Sequence, residues 1–227
     1  MLVSSSLDSH IRVWDLDNMT CVRNIEAGPV ETWTVSVSHD GRFIATGSHA
    51  GKINIFEVDS GKKVETIESD GKFILHTTYS SDGSYLAAAT NEGTVYLYDT
   101  QSFKQLFRLQ YQQMPVRRVA FSPDSSMLLV GCDDNKISLY DVSSGALLAT
   151  MGGHTGWIFG LDVAPGNVRF ASGSADKTVR LWDLRQRETL KVLEEHSDQV
   201  WDVKFNATGT RLCSVSDDHS FTIYGLL

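Results

Sequence analysis

Hydrophobic and polar positions alternate along this chain in short runs, and the runs are divided by turn residues. Residues 157–183 show the pattern. Trp157-Ile158-Phe159-Gly160-Leu161-Asp162-Val163 is an alternating apolar run, and Ala164-Pro165-Gly166-Asn167 is a turn. Phe170-Ala171-Ser172-Gly173-Ser174 is a second run, followed by the tight turn Ala175-Asp176-Lys177. Thr178-Val179-Arg180-Leu181-Trp182-Asp183 is a third, and a fourth, outer run lies around Thr189-Leu190-Lys191-Val192-Leu193. Period-2 patterning, β-branched residues and polar turns predict strands throughout, with no persuasive helical stretch. The turns recur as well: Ser38-His39-Asp40-Gly41, Ser80-Ser81-Asp82-Gly83 and Ser122-Pro123-Asp124-Ser125 stand in register. Their Asp, Gly and Pro supply the local hydrogen bonds and backbone angles that such turns need.

The pattern has a long period. From Trp14-Asp15, steps of 42 residues land on Phe56-Glu57, Tyr98-Asp99, Tyr140-Asp141, Trp182-Asp183 and Tyr224-Gly225. Every landing point is aromatic. A period of about 40–45 residues that closes on Trp-Asp is the mark of a WD repeat, and four strands per period make one blade of a β-propeller. The expected architecture is a single all-β WD-repeat propeller domain over residues 1–227: a partial repeat 1–15, then full repeats at about 16–57, 58–99, 100–141, 142–183 and 184–225. The chain so read starts in mid-blade, with strands Leu2–Leu7 and His10–Leu16, and finishes on a third strand at 221–227. That count is five and a half repeats. We expect a seven-bladed protein without roughly its first 75–80 residues, rather than a six-bladed ring with imperfect closure. Sheet edges would then stand open at both chain ends.

His154, Asp176 and either Ser172 or Ser174 share a repeat with Trp182, which invites a hydrolase reading. A nucleophile also needs an oxyanion hole and a substrate cleft, whereas these elements recur as columns. The His column reads Gly28, Asp70, Gln112, His154, His196, and the Asp column reads Asp8, Ala50, Glu92, Asp134, Asp176, Asp218. Elements that degrade from repeat to repeat are expected to be scaffold bonding: a buried chain from Asp to His to Ser to Trp that satisfies polar groups and fixes the blade. Only the repeat ending at Trp182 holds the full set, since the last has Tyr224 in place of Trp.

The same register gives two contact columns at the heads of the inner strands: Trp33, Leu75, Arg117, Phe159, Trp201, and two residues earlier Glu31, Phe73, Pro115, Trp157, Gln199. Period 2 places both on one side of their strands. Large aromatics and Arg dominate binding hot spots, so Trp33, Phe73, Leu75, Arg117, Trp157, Phe159 and Trp201 are the candidate partner-binding residues, with Arg117 free to pair an acidic group or carbonyl of the partner. The competing reading is that these aromatics fill space between blades.

Composition narrows the function. With 41% hydrophobic and 21% charged residues this is an ordinary globular composition. A net charge of −8 repels phosphate backbones, so direct nucleic-acid binding is disfavoured. Arg117-Arg118 is the only adjacent arginine pair. No apolar run approaches the ~20 residues that span a bilayer, and the first residues do not resemble a secretory signal. Cys21, Cys132 and Cys213 are scattered, which argues against a disulfide framework or zinc site. No cofactor and no metal are expected. The composite expectation is a non-enzymatic scaffold for other proteins.

Several segments resemble one family: Ala27–Trp33, Gly51–Phe56, Ser60–Lys63, Gly71–Leu75, Met114–Arg117 and Asp198–Trp201. They are similar to the WD-repeat subunit of the superkiller complex, the WD repeat protein sixty-one family, including at Ala50, where the usual turn Asp is absent. The resemblance implies a seven-bladed propeller without enzymatic activity. Its implied partners are the tetratricopeptide-repeat and helicase subunits of the superkiller complex, which feeds cytoplasmic messenger RNA to the exosome. It implies also subunits of the RNA-polymerase-associated elongation complex, which acts in transcription and histone modification, and hence both nucleus and cytoplasm. The alternatives are an unrelated WD-repeat adaptor or an RNA-binding propeller.

Overall fold

A computed structural model of the chain describes residues 1–28, 32–109 and 113–226. Among them all regular structure is β-strand, in six sheets whose pairings are all antiparallel. The chain forms two compact units, Met1–Tyr111 and Gln112–Leu227.

The first unit holds three sheets. One is β1 (Leu2–Ser5), β2 (His10–Asp15) and β3 (Thr20–Glu26). The next is β4 (Thr34–Val37), β5 (Phe43–Gly47), β6 (Lys52–Glu57) and β7 (Lys63–Glu68), and the third is β8 (Ile74–Tyr79), β9 (Tyr85–Thr90), β10 (Val95–Asp99) and β11 (Gln105–Leu109). The second unit repeats the scheme. Its sheets are β12 (Val116–Phe121), β13 (Met127–Cys132), β14 (Ile137–Asp141) and β15 (Leu147–Met151); β16 (Ile158–Val163), β17 (Arg169–Ser174), β18 (Val179–Asp183) and β19 (Glu188–Leu193); and β20 (Val200–Phe205), β21 (Arg211–Ser216) and β22 (Phe221–Gly225). The strands expected over 157–193 all form. Phe56, Tyr98, Tyr140, Trp182 and Tyr224 fall on third strands, while Trp14 lies on the middle strand of its three-stranded sheet. Sheets and 42-residue segments run one strand out of phase. The segment 16–57 opens with β3, the outer strand of one sheet, and closes on β6 of the next.

Apolar faces of successive sheets bury one another. In the first unit Ile11, Val13, Ile44 and Phe56 form one core, and Ile53, Ile55, Ile74, Leu86 and Tyr98 another. In the second unit Leu129, Ile158, Phe170 and Trp182 form one, and Ala171, Val200, Leu212 and Tyr224 the other. Close approach depends on missing side chains. A Cβ on Gly131 would lie 2.8 Å from Ile158 Cγ2, and one on Gly173 would lie 2.7 Å from Val200 Cγ1. Gly160 does the same for backbone, since its Cβ would stand 2.8 Å from Asp202 Cα. In the same unit Arg118 bonds Asp202, 84 residues away, at 2.7 Å.

The recurring turns close through one bond set. Ser38, Ser80 and Ser122 each donate to the Asp two residues on at 2.6 Å. Each serine oxygen accepts the amide five residues on at 2.9 Å. The third residue after each serine takes positive φ, at Gly41, Gly83 and Ser125.

Strict alternation fails at two places in the ladders. Between third and outer strands, one extra residue sits on the outer strand opposite the repeat aromatic: Val22, Val64, Leu106, Leu148 and Leu190, all exposed. Between inner and second strands, the extra residue is Leu75 on β8, Arg117 on β12, Phe159 on β16 and Trp201 on β20. A bulge of this kind re-aims the side chain it carries, and here it falls on the contact column read from the sequence.

Candidate partner-docking site

The site is prepared by buried polar bonding. Asp176 accepts from Nδ1 of His154 at 2.8 Å, so Nε2 of His154 accepts from the Ser172 hydroxyl at 2.6 Å, and Ser172 accepts in turn from Trp182 Nε1 at 2.8 Å. The neighbours fix this tautomer, because a carboxylate can only accept. Asp176 also accepts the Thr155 amide at 3.0 Å, and Ser174 donates to the Gly156 carbonyl at 3.0 Å. Of the two serines, Ser172 joins the histidine and Ser174 braces the turn. Together they pin residues 154–156, directly ahead of Trp157. The last sheet repeats this: His196 bonds Asp218 at 2.8 Å and Ser214 at 2.7 Å, and Asp218 accepts the Ser197 amide at 3.0 Å. There the Tyr224 hydroxyl lies 3.3 Å from Ser214 Oγ, where the indole stands in the preceding sheet. In the first unit Trp14 Nε1 donates to Ser4 at 2.9 Å, and Tyr96 donates to Asp70 at 3.0 Å. Gln112 of the His column lies outside the described residues.

Burial alone would raise the Asp176 carboxyl, but the hydrogen bond from His154, with the Thr178 hydroxyl and Thr155 amide, holds it well below the ordinary range. Asp218 is lowered too, first by the Ser220 hydroxyl, against burial, and then by His196. Ser172 is fully buried, so this triad offers no oxygen to a substrate. Among the described residues no group of three metal-capable side chains converges, and no helix is long and apolar enough to cross a membrane.

In the second unit Trp157 and Trp201 are each 46% exposed. Phe159 is 7% exposed and stacks under Trp201 at 4.5 Å with 25° between the rings, and it meets Trp157 edge-on at 6.3 Å. The Arg117 guanidinium lies 4.8 Å over the Trp157 ring and 5.4 Å over Phe159. Two sequence expectations are corrected here. Arg117 is not held free for a partner: its Nε and Nη2 donate to both oxygens of buried Asp133, at 2.6 and 2.9 Å. Phe159 is not a surface anchor, because it is buried beneath the Trp201 ring. Both act as supports, one clamping Trp157 and the other backing Trp201. The period-2 argument missed this because the bulge inserts a residue exactly where alternation was assumed.

The first unit carries its own cluster. Trp33 is 52% exposed and meets half-buried Phe73 edge-on at 5.1 Å, and Phe73 lies against His49 at 4.6 Å. Leu75 is half-buried at its bulge. Glu31 and the Pro29–Glu31 part of the resembling segment lie outside the described residues. Backbone bonds fix the preceding column: the carbonyls of Phe73, Pro115, Trp157 and Gln199 accept the amides of Asn91, Asp133, Ala175 and Asp217 at 2.8–3.0 Å. The supporting column His49, Asn91, Asp133, Ala175, Asp217 escaped the sequence reading. Its only signal is the register, since its residues share no chemistry.

Repeating antiparallel sheets of up to four strands, five of the six with a buried aromatic on the third strand and several with exposed aromatics at the inner-strand head, define a repeat scaffold for contacts with other proteins. The profile of the WD domain, G-beta repeat family matches residues 19–57, 145–183 and 187–224, together half of the chain. The profile of the anaphase-promoting complex subunit 4 WD40 domain matches residues 77–162. The chain belongs to the WD40 repeat family. The WD repeat-containing protein SL1-17 of Schistosoma mansoni is 46% identical over 55 residues, a stretch that is 24% of this chain and 18% of that protein. The match thus spans less than a fifth of that relative.

Proposed function

We propose that this chain is a non-enzymatic scaffold subunit whose partner seats on Trp157 and Trp201. The observation that carries the reading is the pair of exposed indoles on a fixed base, with Phe159 stacked beneath one and an Asp133-clamped Arg117 over the other. Large apolar rings held in water are favourable to bury. Rings already held in one orientation lose little freedom on binding, which favours affinity. Trp33 with Phe73 is the corresponding anchor of the first unit. The segments similar to the WD-repeat subunit of the superkiller complex support partners among its tetratricopeptide-repeat and helicase subunits in the cytoplasm. They support equally the subunits of the RNA-polymerase-associated elongation complex in the nucleus.

Two measurements test this. Affinity purification is expected to recover one of those two sets of subunits, and recovery of neither removes both assignments. In calorimetric titration with the tetratricopeptide-repeat subunit, Trp201→Ala is expected to weaken binding at least about tenfold while the fold is kept, the cost of truncating a central anchor. Unchanged affinity for Trp157→Ala, Trp201→Ala and Arg117→Ala alike would move the interface off these strand heads.

A further inference from the structure

The inner strands β4 and β8 carry Trp33 and Phe73 at their heads. At their other ends the second and third sheets enclose a cavity of about 710 Å³, lined by the 38–43 turn, by residues 82–84 and by residues 100–103. Its size is that of a binding pocket. Three carboxylates line it, Asp40, Glu57 and Asp82, against the single guanidinium of Arg42. The Asp40 carboxyl is held below its ordinary value by the Ser38 hydroxyl and then the Arg42 amide, so it is charged at neutral pH. Phe43 and Phe103 add aromatic surface, and the Arg42 guanidinium already lies 5.4 Å over the Phe43 ring, a geometry that suits a cation. Tyr79 also lines the cavity, and its hydroxyl is closed to solvent, with no hydrogen-bond partner among the described residues. Burial, with the nearby Asp40 charge, keeps that hydroxyl protonated.

We infer that this cavity is a second docking pocket, independent of the tryptophan anchors, and that its occupant is a basic side chain, arginine or lysine, carried on an extended partner segment. The carboxylates hold the cationic head, and the phenylalanines cover the aliphatic stem.

Amide chemical-shift titration of the isotope-labelled chain with Nα-acetyl-arginine methylamide tests the assignment. Saturable shifts are expected at Asp40, Arg42, Gly83 and Gln101. Glu57→Gln is expected to weaken binding about threefold and Arg42→Gln, which removes the competing cation, to strengthen it about threefold, as for partly exposed ion pairs. Added salt weakens binding in the same way. Three results would overturn the proposal: no saturable shift at these amides, equal shifts from the acetyl-glutamate or acetyl-leucine methylamides, or weaker binding in Arg42→Gln. The Arg42 variant leaves the carboxylate-closed turns intact, so its sign remains decisive if another substitution disturbs folding.

Discussion

His154 sits between Ser172 and Asp176 with almost no solvent contact, and Asp176 accepts from His154, Thr155 and Thr178 together. Asp176→Ala leaves the imidazole without its acceptor. We expect a loss of about 1–3 kcal/mol in urea unfolding; unchanged stability would show that the bond set does not stabilise the fold. The carboxyl is lowered in the folded state, so the unfolded chain binds its proton more readily. Its contribution is therefore complete above the ordinary carboxylate range and is lost as pH falls below about 4. Asp176→Asn should flatten the fall in stability through that acid range. These bonds were legible in the sequence, because His and Asp recur at one register and a buried polar group needs a partner. The roles of Arg117 and Phe159 were not. Whether a guanidinium faces a partner or an internal carboxylate depends on Asp133, which stands 16 residues away on a different turn and carries no mark of its role.

At the scale of strands, alternation and the 42-residue period gave antiparallel β-strands and their recurrence along the chain, because one face of each strand must be buried and a one-residue slip would expose it. The bulges escaped. One extra residue alters no composition, and its effect shows only in the ladder. On the outer strands it turns an aliphatic side chain to solvent and bends an otherwise pairable edge, a means of discouraging strand addition. The seats between sheets escaped as well. Gly131 looks like a weak strand residue until Ile158 is seen lying where its Cβ would be. Gly131→Ala is expected to destabilise by about 1–3 kcal/mol, the range for overpacking. Ile158→Ala, which removes that Cγ2, should cost less in the Gly131→Ala chain than on its own, so a double-mutant cycle with no coupling would rule out this contact as the cause.

Across the whole chain, stability is a sum of sheets and of contacts between neighbours, as in other repeat proteins. A disturbance should stay near its origin. Gly173→Ala presses on Val200, so hydrogen exchange is expected to quicken in β16–β22 and remain unchanged in β5–β10. A uniform rise along the chain would contradict this. The bond between Arg118 and Asp202 imposes a different condition. Tandem arrays lengthen and shorten by whole units, and losing or copying one unit leaves every strand pattern and every turn intact. This ion pair would not survive the loss or gain of a unit between its ends, since its partners stand 84 residues, two periods, apart. Asp202, whose carboxyl burial already raises against the pull of Arg118, would lose that guanidinium. The pair is thus a tally, read in electrostatics, of how many repeats lie between its ends.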